Sequence, residues 1–129
     1  MNTPADFPMN GAIALDHVQL AIPKGGEGHA RAFWGGIIGL AEIEKPAALR
    51  ARGGLWYLLT HGELHLGVQT PFSPARKAHP GFRVTDINAL ADRLTAANHP
   101  FTWDNALKDR KRFFTTNPFE NRLEFLEIP

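Results

Sequence analysis

Apolar and polar residues alternate along four short stretches of the chain. Val18, Leu20 and Ile22 alternate with His17, Gln19 and Ala21, the two-residue period of a strand with one face buried. Pro80, Phe82 and Val84 alternate in the same way with His79, Gly81 and Arg83. A helical period follows each of these strands. Ala30, Phe33, Trp34 and Ile37 recur at helical spacing ahead of Gly39, a C-terminal stop, and Asp86 can cap a helix carrying Ile87, Leu90, Leu94 and Ala97 that Asn98 can end. Each helix is followed by a hairpin pattern, Leu55 to Val68 turning near His61-Gly62 and Arg112 to Ile128 turning near Asn117-Pro118. Further strands are expected near Ala41 to Ile43 and Phe101 to Trp103.

The halves therefore repeat one order of elements. His17 and His79 are 62 residues apart, and His65 and Glu124 are 59 apart, so two βαβββ units of nearly equal length account for both offsets. Module one runs over about 13–70 and module two over about 77–129, joined by a linker at 70–77 in which Pro71 and Pro74 deny ladder hydrogen bonds. One helix and a few short strands are too little to bury a core alone. The expectation is a single domain over 1–129, α+β in class, with the two modules packed as one unit.

Sorting each strand by face gives a chemical reading. Val18, Leu20 and Ile22, then Leu64, Leu66 and Val68, then Phe82 and Val84, then Leu123 and Phe125, form the apolar sets that two amphipathic helices can cover. His17, His65, His79 and Glu124 all fall on the opposite, more polar face. Three imidazoles and a carboxylate suit a divalent zinc, nickel, cobalt, manganese or iron(II) ion. No dense local motif supplies this set, so it depends on the repeat and on strand register; a one-residue slip would dismantle it.

Composition narrows the alternatives. With 129 residues, 43% of them hydrophobic, the chain suits one globular domain with a real core. Fourteen basic and 13 acidic side chains nearly cancel, so no global field argues for nucleic acid or an anionic membrane as partner. The absence of cysteine excludes disulfides, thiolate zinc sites and cysteine nucleophiles, leaving six histidines and the carboxylates as ligands. The N-terminal stretch around Asp6 has no basic segment leading into an apolar run, and the expectation is a soluble cytoplasmic protein.

At Leu15-Asp16-His17-Val18, Gly39-Leu40, His65-Leu66-Gly67-Val68, His79 through Asp86, and Asn117-Pro118-Phe119-Glu120-Asn121-Arg122-Leu123-Glu124-Phe125, the chain resembles the vicinal oxygen chelate superfamily of glyoxalases, bleomycin-resistance proteins and extradiol dioxygenases. The last segment resembles that family's DPxGNxxEF signature, with Asn117 for the leading aspartate and Glu120 for the glycine of its tight turn. The resemblance implies paired modules forming a curved mixed sheet around a cleft, helices on the convex face, and His17, His65, His79 and Glu124 as metal ligands. It also implies a homodimer, in which modules of two chains can complete each site.

The resulting expectation is a metal-dependent lyase or isomerase acting on a small substrate whose vicinal oxygens chelate the ion. Dioxygenase or thiol transferase chemistry, and drug sequestration without turnover, are the alternatives. Glu124 is the first candidate for a proton-transferring base and Glu63, two residues from His65, the second. Arg83 and Arg122 are candidate anion-binding groups on the ligand face. Trp56, Trp103 and Phe119 are candidate walls of an apolar pocket.

Overall fold

The structure, a computed structural model, describes residues 12–129. The N-terminal stretch around Asp6 lies outside them. Module one comprises β1 (His17–Ile22), α1 (Glu27–Ala30) continuing into a π-helical segment (Arg31–Ile37), β2 (Glu42–Ile43), a 3-10 helix (Ala47–Arg52), β3 (Leu55–Leu58) and β4 (Glu63–Val68). Module two comprises β5 (Gly81–Arg83), α2 (Ile87–Ala96), β6 (Phe101–Asp104), β7 (Lys111–Thr116) and β8 (Arg122–Glu127). The four-stranded sheets have the same order, β1-β4-β3-β2 and β5-β8-β7-β6, each with one parallel pair at the edge and antiparallel pairs beyond it.

Local chemistry accounts for the elements. The Asp86 carboxylate accepts from the Ala89 backbone N–H at 3.0 Å, satisfying one of the donors a helix start leaves unpaired. Asn98 adopts the left-handed conformation (φ 55°) that ends the same helix, and Gly39 (φ 87°) does so for the first. The second histidine precedes its strand instead of sitting in it. Pro80 has no N–H to give to the ladder, so β5 begins at Gly81, while the Pro80 carbonyl still accepts from Glu124 N at 3.1 Å. In the β7–β8 turn Glu120 takes the left-handed φ of 70° that a glycine would adopt without strain, and the Asn117 side chain accepts from both Phe119 N and Asn121 N at 3.0 Å. The turn of the signature thus persists without its glycine.

The apolar faces of both sheets meet in one core. Leu20, Ile22, Leu64 and Leu66 from module one share it with Phe113, Leu123 and Phe125 from module two, and Phe33, Trp34, Ile87, Leu90 and Leu94 fill it from the helices. Trp34 meets Phe82 edge-on at 5.7 Å, and Phe33 lies 4.9 Å from the His99 ring. Asn121 ties the modules further by donating to the Ala21 carbonyl at 2.8 Å and accepting from Ala75 N at 2.9 Å. Each sheet turns its apolar face to this shared core and carries its polar side chains on the opposite, outer face. Among the described residues no helix is long and apolar enough to cross a membrane.

Candidate metal centre

On the outer face of module one, parallel pairing sets Gln19 of β1 beside His65 of β4, and antiparallel pairing sets Trp56 of β3 on the other side of His65. The rings form a stack: Trp56 on His65 at 3.8 Å and 1°, and His65 on His17 at 4.3 Å and 20°. The His65 side chain is only 8% exposed, and its Nε2 lies 2.8 Å from Glu63 Oε1. His17 Nδ1 lies 2.9 Å from Asp16 Oδ2. Packing and these carboxylates fix both rings, leaving Nε2 of His17 and Nδ1 of His65 outside the pairs.

The outer face of module two holds the other half of the donor set. His79 Nδ1 donates to the Lys77 carbonyl at 2.9 Å, which turns Nε2 toward Glu124 Oε1, 3.0 Å away. An imidazole lone pair and a carboxylate oxygen at that separation need a proton or a cation between them. Glu124 Oε2 accepts from Arg112 at 3.3 Å, and Arg112 also reaches Asp104 at 3.4 Å. Asp104 is held below the usual carboxylate range, first by the Ala106 backbone N–H it accepts and then by Arg112. Phe114 sits among these groups, with the His79 ring edge-on at 5.5 Å and the Arg112 and Arg122 guanidinium carbons 5.0 and 4.2 Å from its centroid.

The structure brings the four metal-type residues together two by two. Among the described residues no three histidines or carboxylates of the chain converge on one point. Each half nevertheless fits a metal: paired donors of matching type, a carbonyl on the far nitrogen of His79 and a guanidinium behind Glu124 are the outer contacts that orient ligands.

The other expected site residues divide. Trp56 is part of the stack and Arg122 lies beside Glu124 on the outer face. Trp103 is on the other face of its strand, packed against Phe101 at 5.9 Å and Phe113 at 5.3 Å, because its register partner is the core residue Phe113. Phe119 packs from the β7–β8 turn against Phe72 at 6.2 Å and over Gly26, so its role is in joining linker and modules. Arg83 lines a groove of about 1030 Å³ between the modules that also contains Trp34, Leu58 and Arg93. Phe114 drew no expectation from the sequence, which offered Arg112 only among several cations able to surround an anionic substrate. The alternation Arg112-Phe113-Phe114 carries the signal, since a core Phe113 sends both its neighbours to the ligand face.

The sequence matches no family model and no curated protein. Among solved structures, a glyoxalase family protein from Bacillus anthracis is 43% identical and superposes with a TM-score of 0.88 over 91% of this chain and 96% of its own. A glyoxalase/dioxygenase from Nostoc punctiforme, 16% identical, aligns over 100% of this chain and 99% of its own at a TM-score of 0.76. The fosfomycin resistance protein FosX from Listeria monocytogenes shares the fold at 12% identity, with a TM-score of 0.72 over 91% of this chain and 94% of its own. The first relative's identity and coverage, on a fold of two βαβββ modules, place the chain in the glyoxalase family of the vicinal oxygen chelate superfamily.

Proposed function

We propose that the protein works as a homodimer holding one divalent first-row metal ion per site, between His17 and His65 of one chain and His79 and Glu124 of its partner, and that it acts as a lyase or isomerase on a small substrate with vicinal oxygens. The observation that carries this reading is the two-by-two division of the donors on outward faces, a stacked His17–His65 pair and a His79–Glu124 pair 3.0 Å apart. Neither pair alone satisfies the coordination of such an ion, whereas a second copy supplies the complement. Four protein donors leave few open positions, which favours a chelating substrate over chemistry that must also bind oxygen.

When bound, the ion supplies Lewis-acid polarisation of substrate oxygens. The chain supplies the proton transfer. Both Glu124 oxygens are engaged, one by His79 and one by Arg112, whereas Glu63 meets His65 through Oε1 and keeps Oε2 for another partner. Glu63 is therefore the better placed base, and Glu124 the ligand. Trp56, flat on His65, excludes water from one side of that ring.

Hydroxyacetone in D2O probes this chemistry, because exchange of its carbon-bound protons reports proton abstraction beside a carbonyl. Glu63→Gln is expected to keep its metal and lose about 100-fold or more in exchange above the protein-free rate, the usual scale of acid–base catalysis. Glu124→Gln is expected to lose the metal. Full exchange in Glu63→Gln removes the base assignment, full metal content in Glu124→Gln removes the ligand assignment, and no exchange by the metal-loaded wild type rejects the reaction class.

A further inference from the structure

Next to Glu124, on the same outer face, a cavity of about 430 Å³ is lined by Arg76, Pro100, Thr102, Phe114, Thr116, Glu120 and Arg122 among others. Strand register explains what it presents. Arg122 of β8 pairs with Thr116 of β7, and Phe114, beside Glu124, pairs with Thr102 of β6, so one guanidinium and two threonines surround the Phe114 ring on one face. The Thr115 hydroxyl, on the alternate face, is already spent on the Pro100 carbonyl at 2.7 Å. Thr102 and Thr116 are exposed, and their hydroxyls have no hydrogen-bond partner among the described residues.

The cations near this cavity differ in what they are committed to. Arg112 is held by Glu124 and Asp104 together. Arg76 pairs with Glu120 at 3.0 Å. Arg122 has no carboxylate partner among the described residues; its guanidinium lies on the Phe114 ring, 4.2 Å from the centroid. A stacked guanidinium keeps its five N–H donors in the plane and directed past the ring edge, an arrangement suited to a planar or tetrahedral oxyanion. With hydroxyl donors at Thr102 and Thr116, the cavity offers cationic and neutral donors and a single carboxylate, Glu120, that is already paired.

We infer that Arg122, with Thr102 and Thr116, binds the anionic oxo-acid group of the substrate, a carboxylate or a phosphonate, beside the metal-binding end at His79 and Glu124. The inference rests on the preceding reading for where the reacting end lies. Arg122 and Glu124 are two residues apart on one strand face, roughly 7 Å along the strand. The substrate class is thus a short acid whose anionic group lies about that far from its chelating oxygens, of which hydroxyacetone presents the reacting end alone.

Binding of propionate and of methylphosphonate to the full-length, metal-stripped protein, followed by amide NMR, tests this independently of metal and turnover. Wild type is expected to bind at least one of the two at millimolar concentration, with the largest shifts at residues 100–102, 114–116 and 122. Arg122→Gln should weaken binding about tenfold or more, as loss of a charge-assisted hydrogen bond does. Arg122→Lys should fall between, and Arg83→Gln should leave the affinity unchanged. The ratio of the two affinities tells carboxylate from phosphonate. Unchanged binding in Arg122→Gln, equal losses in Arg83→Gln, or no binding of either anion by wild type would overturn the inference. Where Arg122→Gln does not fold, Arg122→Lys and Thr116→Val decide, each expected to weaken binding several-fold. Metal content of wild type, measured separately, shows whether the donor reading failed instead.

Discussion

Tyr57 shows how a single residue can be expensive where nothing about catalysis requires it. Its ring is buried in the module-one core at 1% exposure, its hydroxyl has no hydrogen-bond partner among the described residues, and burial, with the Glu42 charge, raises its pKa above the ordinary 10.0. A buried hydroxyl without a partner costs on the order of 1–3 kcal/mol, against which the ring contributes its full apolar burial. Tyr57→Phe keeps the ring and removes the cost. Urea denaturation should find the variant as stable as wild type or more stable, by up to about 1 kcal/mol; a loss larger than that would mean that the hydroxyl is hydrogen-bonded in solution. The four candidate ligands read differently at this scale. His17, His65, His79 and Glu124 could be picked from the sequence because strand alternation assigns a face to every residue, whereas the facts that orient them, Lys77 under His79 and Arg112 behind Glu124, depend on neighbours in space.

At the scale of elements, the chain's own punctuation carried most of the fold. Asp86, Asn98 and Gly39 mark helix ends in the sequence and do so in the structure, through a side-chain cap and two left-handed backbones. The first helix departs from its pattern. Ala30, Phe33, Trp34 and Ile37 have α-helical spacing, yet Arg31–Ile37 is wound as a π-helix around the weak helix formers Gly35 and Gly36 while still burying Phe33 and Trp34. Trp103 was legible as a strand residue but not as one on the face shared with Phe113, because Phe101-Thr102-Trp103-Asp104 is bounded by no residue that fixes its register until β7 is paired.

Glu27, in the first turn of α1, links that element to the sheet by accepting from Gly54 N at 2.9 Å, and this backbone hydrogen bond is the main cause holding its pKa below 4.5. A carboxyl depressed in the folded state stabilises the fold above its unfolded pKa and loses that contribution as pH falls through the folded value. Glu27→Gln should therefore cost about 1 kcal/mol at pH 7, a charge-assisted bond discounted for partial solvent screening. The gap should narrow as pH drops below about 4.5 and close once the Glu27 carboxyl is protonated in the folded state as well. Melting curves of both proteins across that range check it, and a constant gap would mean that the side chain acts by packing alone.

For the whole molecule, the repeat and its two equal modules were written in the spacing of His17, His65, His79 and Glu124, but the direction in which the modules face was not. Strand periodicity says which residues share a face of one sheet. It does not say whether the faces of two sheets oppose each other, because that is settled by how Phe33, Trp34 and Phe82 interlock between them. With the apolar faces joined in one core, the two donor pairs stay apart among the described residues, and the proposed site draws its halves from two chains. Mixing two metal-free variants, His17→Ala and Glu124→Ala, tests this directly. Each alone carries one defect in every site of a dimer, whereas a mixed dimer combines both defects in one site and leaves the other intact. After co-refolding and dialysis against zinc, each variant alone should hold almost no tightly bound metal, and the mixture should hold about one ion per mixed dimer. A mixture that binds no more metal than the separate variants, or a wild-type chain that binds one ion as a monomer, would contradict the shared site.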